Sequence, residues 1–211
     1  MGIVALGDSL LDTDRSWGYW LSRAMGLPLR SVAAGGVRSN DVLRQLASLD
    51  DERYDVACLS VGINDILFDW DADRFAGNVA AIVGVAAEVA ERVVTPTITL
   101  GLASFPGSAA EFRRRVRDAN SVLSDSGALV FSGSDLRGPR FLDADRVHPT
   151  AAGQLVLADR AAQMLDVTPA PSSLADRPRV RGRSKYFRVT AEQVPRRIAK
   201  RALGRPMYRD D

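Results

Sequence analysis

The sequence is poor in sulfur and in imidazole: among 211 residues there is one cysteine, Cys58, and one histidine, His148. A single cysteine excludes an intrachain disulfide, and its place inside an apolar run marks Cys58 as a small core residue. One histidine and one cysteine together exclude a zinc site of the Cys/His kind, so neither metal nor cofactor is expected. No apolar run approaches the roughly 20 residues that a membrane-spanning helix needs. The N-terminus also lacks a basic segment followed by an apolar one, so the expectation is a cytoplasmic protein without a secretory signal.

The charge is not spread evenly. Residues 170–211 carry 12 Lys/Arg against 4 Asp/Glu, while residues 1–169 carry 16 against 22. A basic tail therefore follows an acidic body, and the overall pI of about 9 belongs to the tail. The composition shifts at the same place, where Pro169, Pro171, Ser172, Ser173 and Pro178 read as a linker. The expected organisation is one domain over 1–168 and a basic tail, 169–211. A short amphipathic helix is expected over 191–203, with Pro195 suiting its first turn. Tyr186, Phe187, Val189 and Ile198 suit docking on protein; an anionic surface or self-association is the other use of such a tail. No specific nucleic acid is expected.

The body alternates strand and helix patterns. Gly2 to Leu6 is small and apolar, as a buried strand requires, and Gly7-Asp8-Ser9 breaks it. A helix with Trp17, Trp20 and Leu21 on one face runs to about Met25; core packing is the default for that face. Further strands are expected at Leu29–Ala34, Tyr54–Val61, Val93–Leu102 and Ala128–Phe131, with the regular part of the fourth beginning after Pro96. Helices are expected with Val42, Leu43, Leu46 and Leu49 as apolar face and Ser39 or Asn40 near the cap, over about 72–92, over Ser108–Ser124 and over Thr150–Leu165. The arginines at 113, 114, 115 and 117 read as a solvated helix face. This alternation indicates an α/β domain with a five-stranded parallel sheet between two helical layers.

Ser9 ends the first strand, where open α/β sheets place their ligands. A serine becomes a nucleophile only with a base, an orienting group and donors for the negative oxygen that attack creates. His148 is the only imidazole available as base. Asp145, three residues earlier, can accept its other ring proton; Asp143 is the rival for that role. Three donors fall after predicted strands, on one rim of the sheet: the Ser9 amide, the Gly36 amide and the Asn64 carboxamide.

The ordered set Gly7-Asp8-Ser9-Leu10, Gly36, Gly62-Ile63-Asn64-Asp65 and Asp145-Arg146-Val147-His148-Pro149 resembles the SGNH (GDSL-type) hydrolase superfamily over about residues 2–166. The resemblance implies a three-layer, flavodoxin-like fold with Ser9 as nucleophile, His148 as base and Asp145 as its partner. It also implies an oxyanion hole of Ser9, Gly36 and Asn64. Where the family often has an asparagine upstream of its second-block glycine, this chain has Ser31, which leaves Gly35 as an alternative to Gly36. The activity implied is a metal-independent serine hydrolase acting on small carboxylic esters. A non-catalytic protein on the same fold, binding an anionic partner through its tail, is the competing reading.

Overall fold

The computed structural model describes residues 1–49, 52–98 and 108–175. Five parallel strands form one sheet in the order β2-β1-β3-β4-β5: β1 (Ile3–Gly7), β2 (Leu29–Ser31), β3 (Tyr54–Ser60), β4 (Ala90–Pro96) and β5 (Leu129–Phe131). The helices are α1 (Trp17–Met25), α2 (Ser39–Ala47), α3 (Ile63–Phe68), α4 (Ala72–Val89), α5 (Ala109–Asp125) and α6 (Ala151–Met164). A 3-10 turn, Pro171–Leu174, follows. This is the three-layer α/β/α architecture with flavodoxin-like strand order. The direction in which successive strands are added to the sheet reverses between β1 and β3, which opens a crevice at their carboxyl ends.

Apolar residues on both sides of the central strands explain the layering. Every residue of β1 is buried. Val4 and Leu6 face Val42 and Leu46 of α2, Ile82 of α4 and Leu123 of α5, whereas Ile3 and Ala5 face Trp17 and Leu21 of α1 and Leu157 of α6. A strand buried on both faces has to be apolar throughout, and burying each large side chain contributes roughly 1.5–3 kcal/mol. Trp17 meets Phe131 of β5 edge to face at 5.4 Å, so the expected apolar face of α1 belongs to the core. Cys58 is buried in β3 and burial pushes its thiol well above the ordinary range, which leaves it unreactive.

Three local expectations are corrected. The fourth strand lies before Pro96, at Ala90–Pro96, because Ala90 pairs with Tyr54 and the chain passes from α4 into the ladder without a loop. Pro96 is tolerated as its last residue. The Thr97 amide donates to Phe131 of β5, so Pro96 N faces β3, where pairing has already stopped at Cys58–Val94. The second strand closes at Ser31, three residues early, because beyond Ala5–Ser31 only the Val32 and Ala34 amides still reach β1, at the Ala5 and Gly7 carbonyls, while the Gly7 N–H is taken by Gln45. Helix α2 begins at Ser39, beside its N-cap Arg38, whose amide is held by Asp41 at 2.9 Å. Finally, Ile63–Phe68 is a helix where only a turn was expected.

The Pro171–Leu174 turn packs on α1 and α6, with Pro171 buried and the Ser172 amide bonded to Asp159 at 2.8 Å. The helix expected over 191–203 lies outside the described residues. Among those described, no helix is long and apolar enough to cross a membrane.

Candidate active site

β1 delivers Ser9 to the crevice through a turn that only glycine can start. Gly7 has φ +119°, and a Cβ there would lie 1.8 Å from the Ser60 carbonyl oxygen. Next, the Asp8 amide donates to that carbonyl at 3.0 Å, and the Leu11 and Asp12 amides fold back onto the Asp8 carbonyl. The Asp8 side chain is 1% exposed; its Oδ1 accepts from the Leu10 amide and from the Ser60 hydroxyl, each at 3.0 Å. Burial raises its pKa to about 6, against the pull of those two donors. Ser9 is left projecting, half-buried, between these anchors.

The loop from Phe141 to Thr150 supplies the imidazole. It closes as a narrow hairpin, with the Asp143 amide on the His148 carbonyl (2.8 Å) and the Thr150 amide on the Phe141 carbonyl (2.9 Å). Inside it, Asp145 uses both carboxylate oxygens. Oδ1 accepts the Val147 amide at 2.8 Å and the His148 amide at 3.0 Å, and Oδ2 lies 2.6 Å from His148 Nδ1. The other ring nitrogen, Nε2, lies 2.7 Å from Ser9 Oγ, across 139 residues of sequence. Burial works against the charge on Asp145, yet the His148 ring and the two amides hold its pKa below the usual carboxylate value. The same contact raises His148 above 6.5, with partial burial opposing. Asp143, the rival partner, instead takes the Ala144 amide at 2.7 Å.

The three expected donors converge on the same rim. Gly35 packs against Ser9, since a Cβ on it would lie 3.9 Å from the Ser9 Cβ, but its amide is occupied by Asp12 Oδ2 at 2.8 Å. The Gly36 amide, at φ +81°, and the Ser9 amide have no hydrogen-bond partner among the described residues. On the far side of Gly36, the Val37 carbonyl accepts from Asn64 Nδ2 at 2.7 Å. That bond uses one of two carboxamide hydrogens and leaves the other for a ligand. Asn64 is 8% exposed and sits in the first turn of α3.

Sequence reasoning did not find the groups that hold these donors. Asp65, 5% exposed, accepts the Ser39 amide with both oxygens (3.2 and 3.1 Å) and the Ser39 hydroxyl at 2.6 Å, tying α3 to the start of α2. Arg115 donates to the Ile66 carbonyl at 3.0 Å and pairs with Glu111, while Arg114 pairs with Asp118. One member of the arginine cluster thus supports α3. Only the Asp of the Gly-x-Asn-Asp stretch could have been suspected, from its place beside Asn64. Among the described residues, no three His, Cys, Asp or Glu side chains are grouped to hold a metal ion.

Comparisons with known proteins agree with this architecture. The chain is similar in structure to Axe2, an acetylxylan esterase from Geobacillus stearothermophilus, at TM-score 0.61 and 16% identity over 78% of this chain and 93% of that one. It is also similar to a member of the lipolytic protein G-D-S-L family from Veillonella parvula DSM 2008, at TM-score 0.62 and 17% identity over 77% of this chain and 97% of that one. A third similar structure, from the metagenome of Lake Arreo, Spain, is LAE5, an alpha/beta hydrolase enzyme, at TM-score 0.61 and 18% identity over 83% of this chain and 96% of that one. At such identities the likeness speaks for the fold. No curated protein matches the sequence. The GDSL-like Lipase/Acylhydrolase family matches residues 5–156, well over half of the chain and every block of the site. The chain belongs to the GDSL-like lipase/acylhydrolase family, and so to the SGNH hydrolases.

Proposed function

We propose that the protein is a serine esterase that cleaves small carboxylic esters through an acyl-enzyme. The observation that carries this reading is the relay Ser9 Oγ–His148 Nε2 at 2.7 Å and His148 Nδ1–Asp145 Oδ2 at 2.6 Å, with the Ser9 and Gly36 amides unengaged among the described residues. Asp145, held ionised, accepts the Nδ1 proton, and this fixes the tautomer whose Nε2 lone pair faces the serine. As Ser9 Oγ attacks the ester carbonyl, its proton passes to Nε2 and the carbonyl oxygen becomes negative. The Ser9 amide, the Gly36 amide and the second Asn64 hydrogen donate to that oxygen. The imidazolium then protonates the departing alkoxide. Water, deprotonated by the same nitrogen, attacks the acyl-serine and releases the acid. The free amide at Gly36, beside an occupied one at Gly35, is the reason for choosing Gly36 as donor.

Ser9→Ala tests the reading. Turnover of a panel of acyl esters should fall by about 10⁶-fold with the melting temperature kept, by analogy with serine-triad enzymes. The acetylxylan esterase among its structural neighbours makes acetylated sugars a natural part of that panel. Reaction of wild-type Ser9 with a fluorophosphonate, located by mass spectrometry, should accompany the activity. A folded Ser9→Ala protein that still turns over esters overturns the mechanism, and a wild-type protein inert to ester and probe alike speaks for a binding role.

A further inference from the structure

β1 runs two residues beyond the end of its pairing with the edge strand β2. On one side Gly7 is in register with Ser60 of β3. On the other, β2 pairing ends at Ala5–Ser31, after which the Val32 amide still reaches the Ala5 carbonyl and the Ala34 amide the Gly7 carbonyl. Residues along a parallel strand turn their N–H and C=O to alternate neighbours. The Gly7 N–H therefore faces the side on which β2 pairing has ended, and a buried amide left unpaired there costs about 1–3 kcal/mol. Gln45, 38 residues away, fills the place. Its Oε1 accepts the Gly7 N–H at 2.7 Å and its Nε2 donates to the Gly7 carbonyl at 3.1 Å. A primary carboxamide offers the same donor and acceptor as a peptide unit, so Gln45 supplies the acceptor that β2 does not and adds a second donor to the carbonyl that the Ala34 amide already reaches.

Gln45 lies in the last turn of α2, and the first turn of that helix is bound to Asp65, the neighbour of Asn64. Asn78 adds a hydrogen bond to the Ser39 hydroxyl at 2.9 Å. α2 is thus a strut with one end fixed beside the Asn64 donor and the other fixed two residues before Ser9. A rigid spacer between nucleophile and oxyanion donor is what a tetrahedral intermediate needs, because displacement of about 1 Å can cost on the order of 10²-fold in rate. We propose that Gln45 is a positioning residue for acyl transfer, setting through Gly7 the direction of the Ser9 amide and hydroxyl relative to Asn64. This inference rests on the esterase reading of Ser9, His148 and Asp145.

Gln45→Met keeps length and apolar volume but removes both hydrogen bonds. It should lower kcat per active site by about 10–100-fold with KM changed less than about twofold, since the residue acts on the nucleophile and not on bound ester. Sites are counted by fluorophosphonate titration, so a loss of folded molecules alone would leave kcat per site unmoved. Gln45→Glu gives a second readout. The ionised carboxylate keeps an acceptor for the Gly7 N–H but opposes its carbonyl, whereas the protonated acid restores donor and acceptor together. The ratio of Gln45→Glu to wild-type kcat should therefore rise as pH falls from 8 to 5, and it decides the matter if Gln45→Met fails to fold. Gln45→Met at full turnover per site, or a pH-independent ratio for Gln45→Glu, overturns the inference while an inactive Ser9→Ala leaves the esterase reading standing. An active Ser9→Ala overturns both.

Discussion

Residues 141–150 assemble their half of the site almost entirely from bonds inside the loop, while the Ser9 turn takes its shape from segments far away in sequence. In the loop, Asp145 holds two amides and the imidazole within three residues of itself. The turn depends on Ser60, which is 52 residues from Asp8, on Gln45, and on the amide of Ala34. The donors follow the second pattern, since Asn64 is held by Val37 and Asp65 holds Ser39. The acid–base pair can therefore be disturbed by local substitutions alone. Ser9 and the candidate oxyanion donors should respond to changes anywhere along the struts that support them.

Asp145→Asn separates the loop's two tasks and should have the largest effect. The amide oxygen can still accept the Val147 and His148 amides, so the hairpin remains. The amide nitrogen, however, presents a donor to Nδ1 and forces the tautomer whose Nε2 carries the proton. By comparison with the same change in other serine triads, kcat should fall by about 10⁴-fold with little change in melting temperature. Asp145→Ala should lose similar turnover and also about 1 kcal/mol of stability, because two backbone donors lose their acceptor. Equal melting temperatures for the two variants would show that the loop does not need its own carboxylate.

Asn64→Ala should lower kcat by about 10²–10³-fold with a smaller change in KM, since one preorganised donor to the developing charge disappears. A loss confined to KM would remove Asn64 from the oxyanion hole.

Asp8→Asn has the smallest effect on rate and probes how the two halves communicate. Activity requires neutral His148, so kcat/KM should rise with pH through a midpoint above 6.5. The Asp8 charge contributes to that elevation, and its removal should move the acid limb to lower pH. Stability gives an independent check. Burial lifts Asp8 from 3.8 to about 6 in the folded state, so the fold binds its proton more tightly than the unfolded chain does. Wild-type stability should then fall as pH rises from about 4 to about 6, by up to about 3 kcal/mol, and level off above. Asn keeps an acceptor for Leu10 and Ser60 and should flatten that slope in chemical denaturation. A slope that survives in Asp8→Asn assigns it to other groups.

The same contrast decides what could be read from the sequence. Strand and helix order was legible because buried strands and amphipathic helices write their periods directly into the chain. The blocks around Ser9, Asn64 and Asp145–His148 were legible because each packs its chemistry into a few adjacent residues. The length of β2 was not, since Val32 to Ala34 are as strand-like as Leu29 to Ser31 and still donate two amides to β1, and the ladder ends where Gln45 takes the Gly7 N–H. Helix α3 was hidden for a related reason: after Gly62, its six residues are too few to show a period. Gln45 and Asp8 were invisible as supports. A glutamine late in an amphipathic helix and an aspartate in a turn look solvated until the fold brings Gly7 and Ser60 against them.

Folding order gives the 2.7 Å contact between Ser9 and His148 a second meaning. The Asp145–His148 bond spans three residues and can close early, on a loop not yet docked, so its presence reports nothing about the sheet. The Ser9–His148 contact joins the end of the first strand to a loop that follows the last, and loop closure over 139 residues is worth completing only once the intervening strands are in place. Serine reactivity therefore works as a built-in gauge of complete folding. During refolding, fluorophosphonate labelling at Ser9 should appear with the final phase recorded by Trp17 fluorescence, and a His148 environment of native type should precede it.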